Sequence, residues 1–208
     1  MDNFYEDNHQ LYFDSTVGID PSAFLEPLAK LLPPQATILD IGCGSGRDLL
    51  WLSRRGFRPT GFERSPSLAK LARRHSNCPV LEGDFNHFNF STLHFSALIF
   101  VGSFVHVSPE ALPAIIVSIC QALNSGGMIL ITVKEGKGTS RAADGRIFTL
   151  WSKQDIENVF AATSLDIVDF SRQISKIRPD DIWLGYVLRY HVVAGTTKSR
   201  WRSSLPSN

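Results

Sequence analysis

Alternating glycines form the segment of this 208-residue sequence whose spacing is most informative about chemistry. Residues 38–48 read ILDIGCGSGRD, in which an apolar run that favours a strand precedes the glycines. Glycine adopts backbone angles that other residues avoid and lets a ligand approach the main chain closely. In an open α/β sheet, ligands bind beyond the carboxyl ends of the strands. We therefore expect residues 40–46 to line a ligand site.

Acidic side chains follow the next two predicted strands. Glu63 ends a strand predicted at residues 57–62, where a carboxylate can accept hydrogen bonds from both hydroxyls of a ribose. Dinucleotide-binding proteins use the same arrangement, so Glu63 indicates an adenosyl ligand without identifying it. Asp84 and Phe85 follow a short strand predicted at residues 80–81, and Asp84 has a second interpretation as a turn cap.

Strand and helix patterns alternate along most of the chain. Strands are predicted at residues 36–41, 57–62, 80–81, 95–101 and 128–133, with helices at 47–55, 65–75 and 109–123 between them. Such alternation indicates βαβ units and a parallel sheet. After a polar loop at residues 136–146, a helix near 153–162 precedes strands near 165–170 and 183–193 with no clear crossover helix. The sequence predicts an α/β fold with a Rossmann-like, seven-stranded, mostly parallel sheet, helices on both faces and an antiparallel C-terminal hairpin.

The acidic-x-GxGxG pattern resembles motif I of the class I S-adenosylmethionine-dependent methyltransferases, in which this loop packs against the amino-acid part of the cofactor. Dinucleotide-binding enzymes prefer the GxGxxG spacing. Asp40 matches the acidic residue of motif I, and Asp84 matches the residue that accepts a hydrogen bond from the adenine amino group. The resemblance is to small bacterial members with little beyond the catalytic domain, and it covers nearly the whole chain. Glu63 departs from it, since Asp is commoner there, and residues 100–102 (FVG) replace an expected Trp-containing stretch.

This resemblance implies S-adenosylmethionine as the cofactor and a set of residues that bind it. The set is Tyr12, Asp40, Gly42, Cys43, Gly44, Gly46, Asp48, Glu63, Arg64, Asp84, Phe85 and Val101. In such proteins N-terminal aromatic residues often close over the cofactor. Tyr5, Tyr12 and Thr16 are therefore candidates for a lid, with ordinary packing as the alternative.

His106, just after the fourth predicted strand, is the candidate catalytic base or acceptor contact. The alternative is a structural histidine that is hydrogen-bonded to the neighbouring loop. A base is needed only if the acceptor must lose a proton. Lys134 ends the fifth strand on the same side of the sheet. Arg141 and Arg146 follow in the next loop and would suit an anionic acceptor, although a solvated basic loop is the more ordinary interpretation.

These features together favour an enzyme that moves a methyl group to an O, N or S atom of a small-molecule acceptor. One alternative is a catalytically inactive adenosylmethionine-binding partner or sensor. A nicotinamide-dependent oxidoreductase is disfavoured by the glycine spacing. No metal site is predicted, because the histidines lack metal-ligand spacing and no acidic cluster suggests one.

Composition and charge restrict the remaining possibilities. The net charge of +1, from 21 basic and 20 acidic residues, gives no reason to expect broad nucleic-acid binding. The three cysteines at unrelated spacings do not form a disulfide framework, and the N-terminus lacks a secretory pattern, so a cytoplasmic location without a membrane segment is expected. We expect one methyltransferase domain at residues 1–193, with a lid and helix in 1–34, and a flexible tail at 194–208. The oligomeric state stays open.

Overall fold

A computed structural model describes residues 3–191 of the chain. Its helices are α1 (Phe4–Asp7), α2 (His9–Thr16), α3 (Ser22–Ala29), α4 (Arg47–Ser53), α5 (Pro66–Ser76), α6 (Leu112–Ile119) and α7 (Lys153–Ala162). Its strands are β1 (Thr37–Ile41), β2 (Arg58–Glu63), β3 (Val80–Glu82), β4 (Phe95–Val101), β5 (Leu123–Lys134), β6 (Thr139–Arg141), β7 (Ile147–Thr149), β8 (Leu165–Ile174) and β9 (Ile182–Tyr190).

Seven of these strands form one sheet in the order β3-β2-β1-β4-β5-β9-β8. β1 to β5 are parallel, and β9 runs antiparallel to both β5 and β8. The predicted mostly parallel sheet with an antiparallel C-terminal hairpin is therefore confirmed. β2 and β3 are added in turn on one side of β1, and β4 and β5 are then added on the opposite side of β1. The strand order thus reverses between β1 and β4, which is where ligands bind in such sheets.

Both faces of the sheet are covered, as predicted for a strand set that is apolar on both sides. Consecutive residues of β1 belong to different clusters, because side chains alternate across a strand: Ile38 packs on one face and Leu39 on the other. Side chains of α3 and α4 cover the face of Ile38. Those of α6 and α7 cover the face of Leu39. The central strand ends are consequently held rigidly from both sides.

The loop predicted at residues 136–146 contains a strand that the sequence analysis missed. β6 pairs with β7 in a separate two-stranded sheet, and the Ala142 N–H donates to the Arg146 carbonyl across the turn. The three residues of β6 are polar and exposed, so no alternation of apolar residues marks them. The hairpin is tied to the main sheet region by the Thr149 N–H, which donates to the carbonyl of Val105 at 2.7 Å.

The helix predicted to begin at residue 109 begins at Leu112 instead. Pro113 explains the difference, because proline has no N–H to donate to the carbonyl four residues earlier and is tolerated in a first helical turn. At the N-terminus, residues 3–16 show no clean sequence period but form α1 and α2. Within residues 3–191, no helix is both long and apolar enough to cross a bilayer. The tail predicted at residues 194–208 lies outside the described residues.

Candidate cofactor and acceptor sites

The glycine-rich loop turns sharply between β1 and α4. Gly44 has a φ of +52°, and a Cβ atom there would lie 3.1 Å from the ring of Tyr12. A Cβ atom on Gly42 would lie 2.9 Å from the Cβ of Ser103. At Gly46 the nearest atoms belong instead to the backbone of Ala72 in α5, at 2.9 Å. Gly42 and Gly44 thus bring the loop close to residues of the site, whereas Gly46 allows α4 and α5 to pack closely.

A cavity of about 410 Å³, called here the first cavity, lies beyond the carboxyl ends of β1, β2 and β4. Eight of the cofactor-binding residues expected from the sequence line it, together with His106. These eight are Tyr12, Gly42, Gly44, Glu63, Arg64, Asp84, Phe85 and Val101. Cys43 and Asp48 line a neighbouring cavity, and Asp40 and Gly46 line neither. The structure therefore brings most of the expected set around one space of a size that suits a small ligand.

Glu63 is the best-positioned carboxylate of the first cavity. It is 7% exposed, and its Oε1 and Oε2 atoms accept hydrogen bonds from the N–H groups of Ser65 at 2.9 Å and Gly44 at 3.0 Å. Burial raises the pKa of Glu63, although these backbone donors oppose the shift. Each oxygen can accept a second hydrogen bond, so the carboxylate suits a pair of ribose hydroxyls.

Asp40 is buried beneath the loop at 2% exposure. Its Oδ2 atom is buried and has no hydrogen-bond partner among the described residues. Burial, with the nearby charge of Asp48, raises the pKa of Asp40 well above its ordinary value. Asp40 lines neither cavity, so a cationic ligand group would act on this carboxylate through the loop, where it would offset the cost of burying the charge.

Cys43 and Asp84 combine structural contacts with positions beside the cavities. Burial raises the pKa of the Cys43 thiol, which keeps the sulfur neutral and unreactive. The Oδ1 atom of Asp84 accepts from the N–H and the side-chain amide of Asn86, and its Oδ2 lies 3.7 Å from Arg64. Asp84 therefore caps a turn and lines the first cavity at the same time, so the two interpretations of this residue are compatible.

His106 is hydrogen-bonded through both ring nitrogens. Nδ1 lies 2.6 Å from the carbonyl of Ile147, which can only accept, so Nδ1 carries the proton. Nε2 lies 2.7 Å from the hydroxyl of Tyr5 and accepts from it. Burial lowers the pKa of His106, so the ring is neutral near pH 7, and burial raises the pKa of Tyr5. His106 thus lines the first cavity and is hydrogen-bonded both to β7 and to Tyr5.

The N-terminal helices lie over this arrangement. The carboxylate of Glu6 accepts hydrogen bonds from the hydroxyls of Ser65 and Ser67 and from the Ser67 N–H, which fastens α1 to the start of α5. Tyr5 and Tyr12 pack edge to face with ring centroids 5.1 Å apart. No local pattern indicates the Glu6 contact, because its partners lie 59 and 61 residues away.

A second cavity of about 350 Å³ adjoins the first. The two share Tyr5, Tyr12, Gly42, Gly44, Val101, Gly102 and Arg146. From this junction the second cavity extends to Lys134, Phe148 and Trp183. A Cβ atom on Gly102 would lie 3.2 Å from the ring of Trp183, so a ring from β9 occupies the space beside the position where the sequence departs from the expected Trp-containing stretch.

The basic residues expected near an acceptor differ in their surroundings. The Arg146 side chain is only 15% exposed and pairs with Asp144 at 2.7 Å, and its guanidinium lies over the ring of Phe4. Arg141 is exposed in β6 and lines neither cavity. The solvated-loop interpretation therefore describes Arg141 and not Arg146. Lys176 and Arg178, which the sequence analysis did not single out, also line the second cavity.

Comparison with known proteins agrees with this geometry. Residues 38–127 match the family model of a methyltransferase domain. Two carboxy-S-adenosyl-L-methionine synthases from Campylobacter jejuni strains are each 29% identical to the chain over 112 residues, which is 51% of this chain and 48% of each relative. The chain thus spans about half the length of the curated relatives it matches.

Solved structures share the fold over most of the chain. The 1,6-didemethyltoxoflavin-N1-methyltransferase of Burkholderia thailandensis has a TM-score of 0.71 and 21% identity, covering 90% of this chain and 84% of its own. The magnesium protoporphyrin IX methyltransferase of Synechocystis has a TM-score of 0.62 and 14% identity, covering 88% and 80%. Both were crystallised with S-adenosylmethionine or S-adenosylhomocysteine. Residues 38–127 therefore match a methyltransferase domain, and the chain shares its fold with these methyltransferases.

Proposed function

We propose that this protein transfers the methyl group of S-adenosylmethionine to an O, N or S atom of a small-molecule acceptor. The observation that carries this proposal is the pair of adjoining cavities at the strand-order reversal, which share the glycine loop as a common wall. One cavity suits the adenosyl group and the other leaves room for an acceptor. The junction between them is where a methyl group would pass.

Two residues of the first cavity, and Asp40 beneath the glycine-rich loop, suit the three polar parts of the methyl donor. Glu63 would accept from the ribose hydroxyls and Asp84 from the adenine amino group. Asp40 would offset the charge of the ammonium group from beneath the loop. When bound, the cofactor supplies a methyl group on a sulfonium, whose thioether product is a good leaving group. The chain's task is then chiefly to hold donor and acceptor in line, because proximity and orientation alone account for a large part of such a rate enhancement.

His106 is proposed as the base for an acceptor that must lose a proton. Its Nε2 is occupied by Tyr5, so the proton would travel in two linked transfers. The Tyr5 oxygen takes the proton of the acceptor as its own proton passes to Nε2 of His106. The Ile147 carbonyl, which accepts from Nδ1, stabilises the resulting imidazolium.

The proposal also covers the extent of the catalytic domain and the cellular compartment of the protein. The residues that line the two cavities extend from Phe4 in α1 to Trp183 in β9, which supports residues 1–193 acting as one catalytic domain. All three cysteines are buried and unpaired, which supports a reducing compartment such as the cytoplasm.

Calorimetry with S-adenosylhomocysteine and S-adenosylmethionine tests the proposal on the full chain. We expect both to bind at one site. Failure of both to bind a folded sample would overturn the proposal, and a thermal shift with NAD(P) alone would favour an oxidoreductase. Formation of S-adenosylhomocysteine is then followed with a broad panel of acceptors, and cofactor binding without any transfer would favour a sensor or partner protein.

A further inference from the structure

Lys134 places a buried ammonium group on the wall of the second cavity. Its side chain is 6% exposed, and Nζ donates to the Oδ2 atom of Asp181 at 2.5 Å. Nζ also lies 4.1 Å from the ring centre of Phe148 and 5.7 Å from that of Trp183. An ammonium group has three N–H donors, so this ion pair leaves donors for a further acceptor atom.

Cationic side chains outnumber carboxylates in the lining of the second cavity. Five cationic side chains line it among the described residues: Arg47, Lys134, Arg146, Lys176 and Arg178. Three carboxylates line it: Asp20, Asp48 and Asp181. Three of the cations pair with these carboxylates, as Arg47 with Asp48, Lys134 with Asp181 and Lys176 with Asp20. Arg146 and Arg178 are left, and they share one carboxylate outside the lining.

That shared carboxylate is Asp144. It lies 2.7 Å from Arg146 and 3.9 Å from Arg178, and its hydrogen bonds from Arg146 lower its pKa to about 2, so it is ionised at neutral pH. Including Asp144, the surroundings of the cavity keep an excess of one positive charge. The excess is small, and it suits a singly charged anion better than a doubly charged one.

Aromatic surfaces lie beside these cations. Phe148 and Trp183 line the cavity, and Arg146 lies over Phe148 at 5.3 Å from its centre. Planar rings bury a large area at little cost in conformational entropy, so these faces suit a flat ligand. Charged donors next to aromatic faces are complementary to a planar molecule with an anionic substituent.

Resting on the function proposed above, we propose that the methyl acceptor is a compact planar molecule bearing a carboxylate, which Lys134 and Arg146 hold at the second cavity. Its ring packs against Phe148 and Trp183. The carboxylate shares the ammonium of Lys134 with Asp181, so Asp181 limits the affinity for the anion. This assigns Lys134 and Asp181 opposite effects on acceptor binding.

The test uses the full chain saturated with S-adenosylhomocysteine. Indole-3-carboxylate, its neutral isostere indole-3-carboxamide, and phenyl phosphate are titrated as probes by ligand-observed NMR. We expect the carboxylate to bind about tenfold more tightly than the carboxamide, since a charge-assisted hydrogen bond exceeds a neutral one by about that factor. Phenyl phosphate is expected to bind more weakly than the carboxylate.

Variants of the ion pair give the decisive readout. Lys134→Met is expected to remove the preference for the carboxylate, and Asp181→Asn to strengthen carboxylate binding. Lys134→Met/Asp181→Asn removes both charges, so it shows the loss of preference without leaving the Asp181 carboxylate unpaired. Arg141→Gln, in the exposed β6, is the matched control and should change nothing.

Several results would overturn this inference while S-adenosylhomocysteine still binds. These are equal binding of carboxylate and carboxamide, no carboxylate binding up to about 10 mM, tighter binding of phenyl phosphate, or an Asp181→Asn variant with weaker carboxylate binding. Loss of S-adenosylhomocysteine binding by the wild-type chain would instead overturn the proposed function. The two failures are therefore distinguishable.

Discussion

The two cavities differ in how their walls are built. Apart from residues of α1 and α2 and Arg146, the lining of the first cavity lies within residues 38–127, the segment that matches the methyltransferase family model. The far wall of the second comes from α3, the end of β5, β7 and the segment joining β8 to β9, all outside that segment. Under the proposed function, the donor is therefore bound by the part of the fold that the family model matches, and the acceptor by the parts outside it.

Gly44→Val is expected to have the largest effect because Gly44 belongs to both cavities. A branched side chain at a φ of +52°, with a Cβ 3.1 Å from the Tyr12 ring, forces either the glycine-rich loop or α2 to move. We expect loss of S-adenosylhomocysteine binding by about 100-fold or more, measured by calorimetry. Gly126→Val is the matched control, since Gly126 has a φ of +72° with no atom within 4 Å of its Cβ position. Equal losses in the two variants would contradict a specific role for the loop.

His106→Ala and Tyr5→Phe test the proton path at the junction. For an acceptor that must lose a proton, both variants should lower kcat by about 100-fold, with S-adenosylhomocysteine affinity changed much less. The wild-type rate should fall as the pH is lowered through the depressed pKa of His106, because the protonated ring cannot accept a proton. If Tyr5→Phe leaves kcat unchanged while His106→Ala reduces thermal stability, the histidine is structural and the relay is wrong.

Glu63→Gln distinguishes ligand binding at the first cavity from ligand binding at the second. It should weaken S-adenosylhomocysteine binding about tenfold, through loss of a charged acceptor, and leave carboxylate binding at the second cavity unaltered. In the wild type, affinity for S-adenosylhomocysteine should decline as the pH is lowered through the raised pKa of Glu63, because protonation removes an acceptor. The variant should lack this decline.

Glu82→Gln is the control for Glu63→Gln, because Glu82 is the neighbour of Glu63 in the parallel register of β2 and β3 and lines neither cavity. A pH dependence that survives in Glu63→Gln would assign it to another carboxylate.

Asp40→Asn is expected to have the smallest effect and to act in opposite directions on stability and binding. Asp40 has a folded-state pKa raised above its unfolded value, so its stabilising contribution is present below the unfolded pKa and is lost as the pH rises through the folded one. The neutral amide should therefore raise the Tm of the ligand-free protein at pH 7.5 by a few degrees, which corresponds to about 1–2 kcal/mol in the free energy of unfolding. The increase should be smaller at pH 5. S-adenosylhomocysteine binding should weaken.

Asp48→Asn provides the contrast to Asp40→Asn. It removes the partner of the largely buried Arg47, at 2.7 Å, and should lower the Tm. Thermal unfolding at the two pH values compares the variants directly. A lower Tm for Asp40→Asn at pH 7.5 would contradict the conclusion that burial of the Asp40 carboxylate destabilises the fold.

The comparison of cavities also explains what the sequence could predict. β4 and α7 were predicted with their observed bounds, because one is a continuous apolar run and the other has a helical period. The first cavity followed from residues at strand ends, whose position in a parallel sheet is fixed by topology. His106 was placed near the ligand by the same reasoning, but its partner Tyr5 lies 101 residues away and no local pattern indicates that contact.

Contacts of the second cavity depend on distances between segments that have no common period. Lys134 and Asp181 are 47 residues apart, and Asp181 lies in a segment without regular structure. The sequence leaves two interpretations of Arg146, an acceptor contact and a solvated loop, because hydropathy does not distinguish an arginine stacked on aromatic rings from one in water. Such residues are identified only after the fold brings them together.

The segment that joins β8 to β9 closes on itself, since the Ser175 N–H donates to the Asp181 carbonyl at 2.8 Å and the Asp181 N–H donates to the Arg178 carbonyl at 2.9 Å. It connects neighbouring antiparallel strands, so its length and residues can change without altering the register of the sheet. Exchange of residues 175–181 between related chains is therefore a route to new acceptor preferences on an unchanged scaffold. Evolution can use the same route, diversifying the chemistry of a lineage by replacing one short, exchangeable piece.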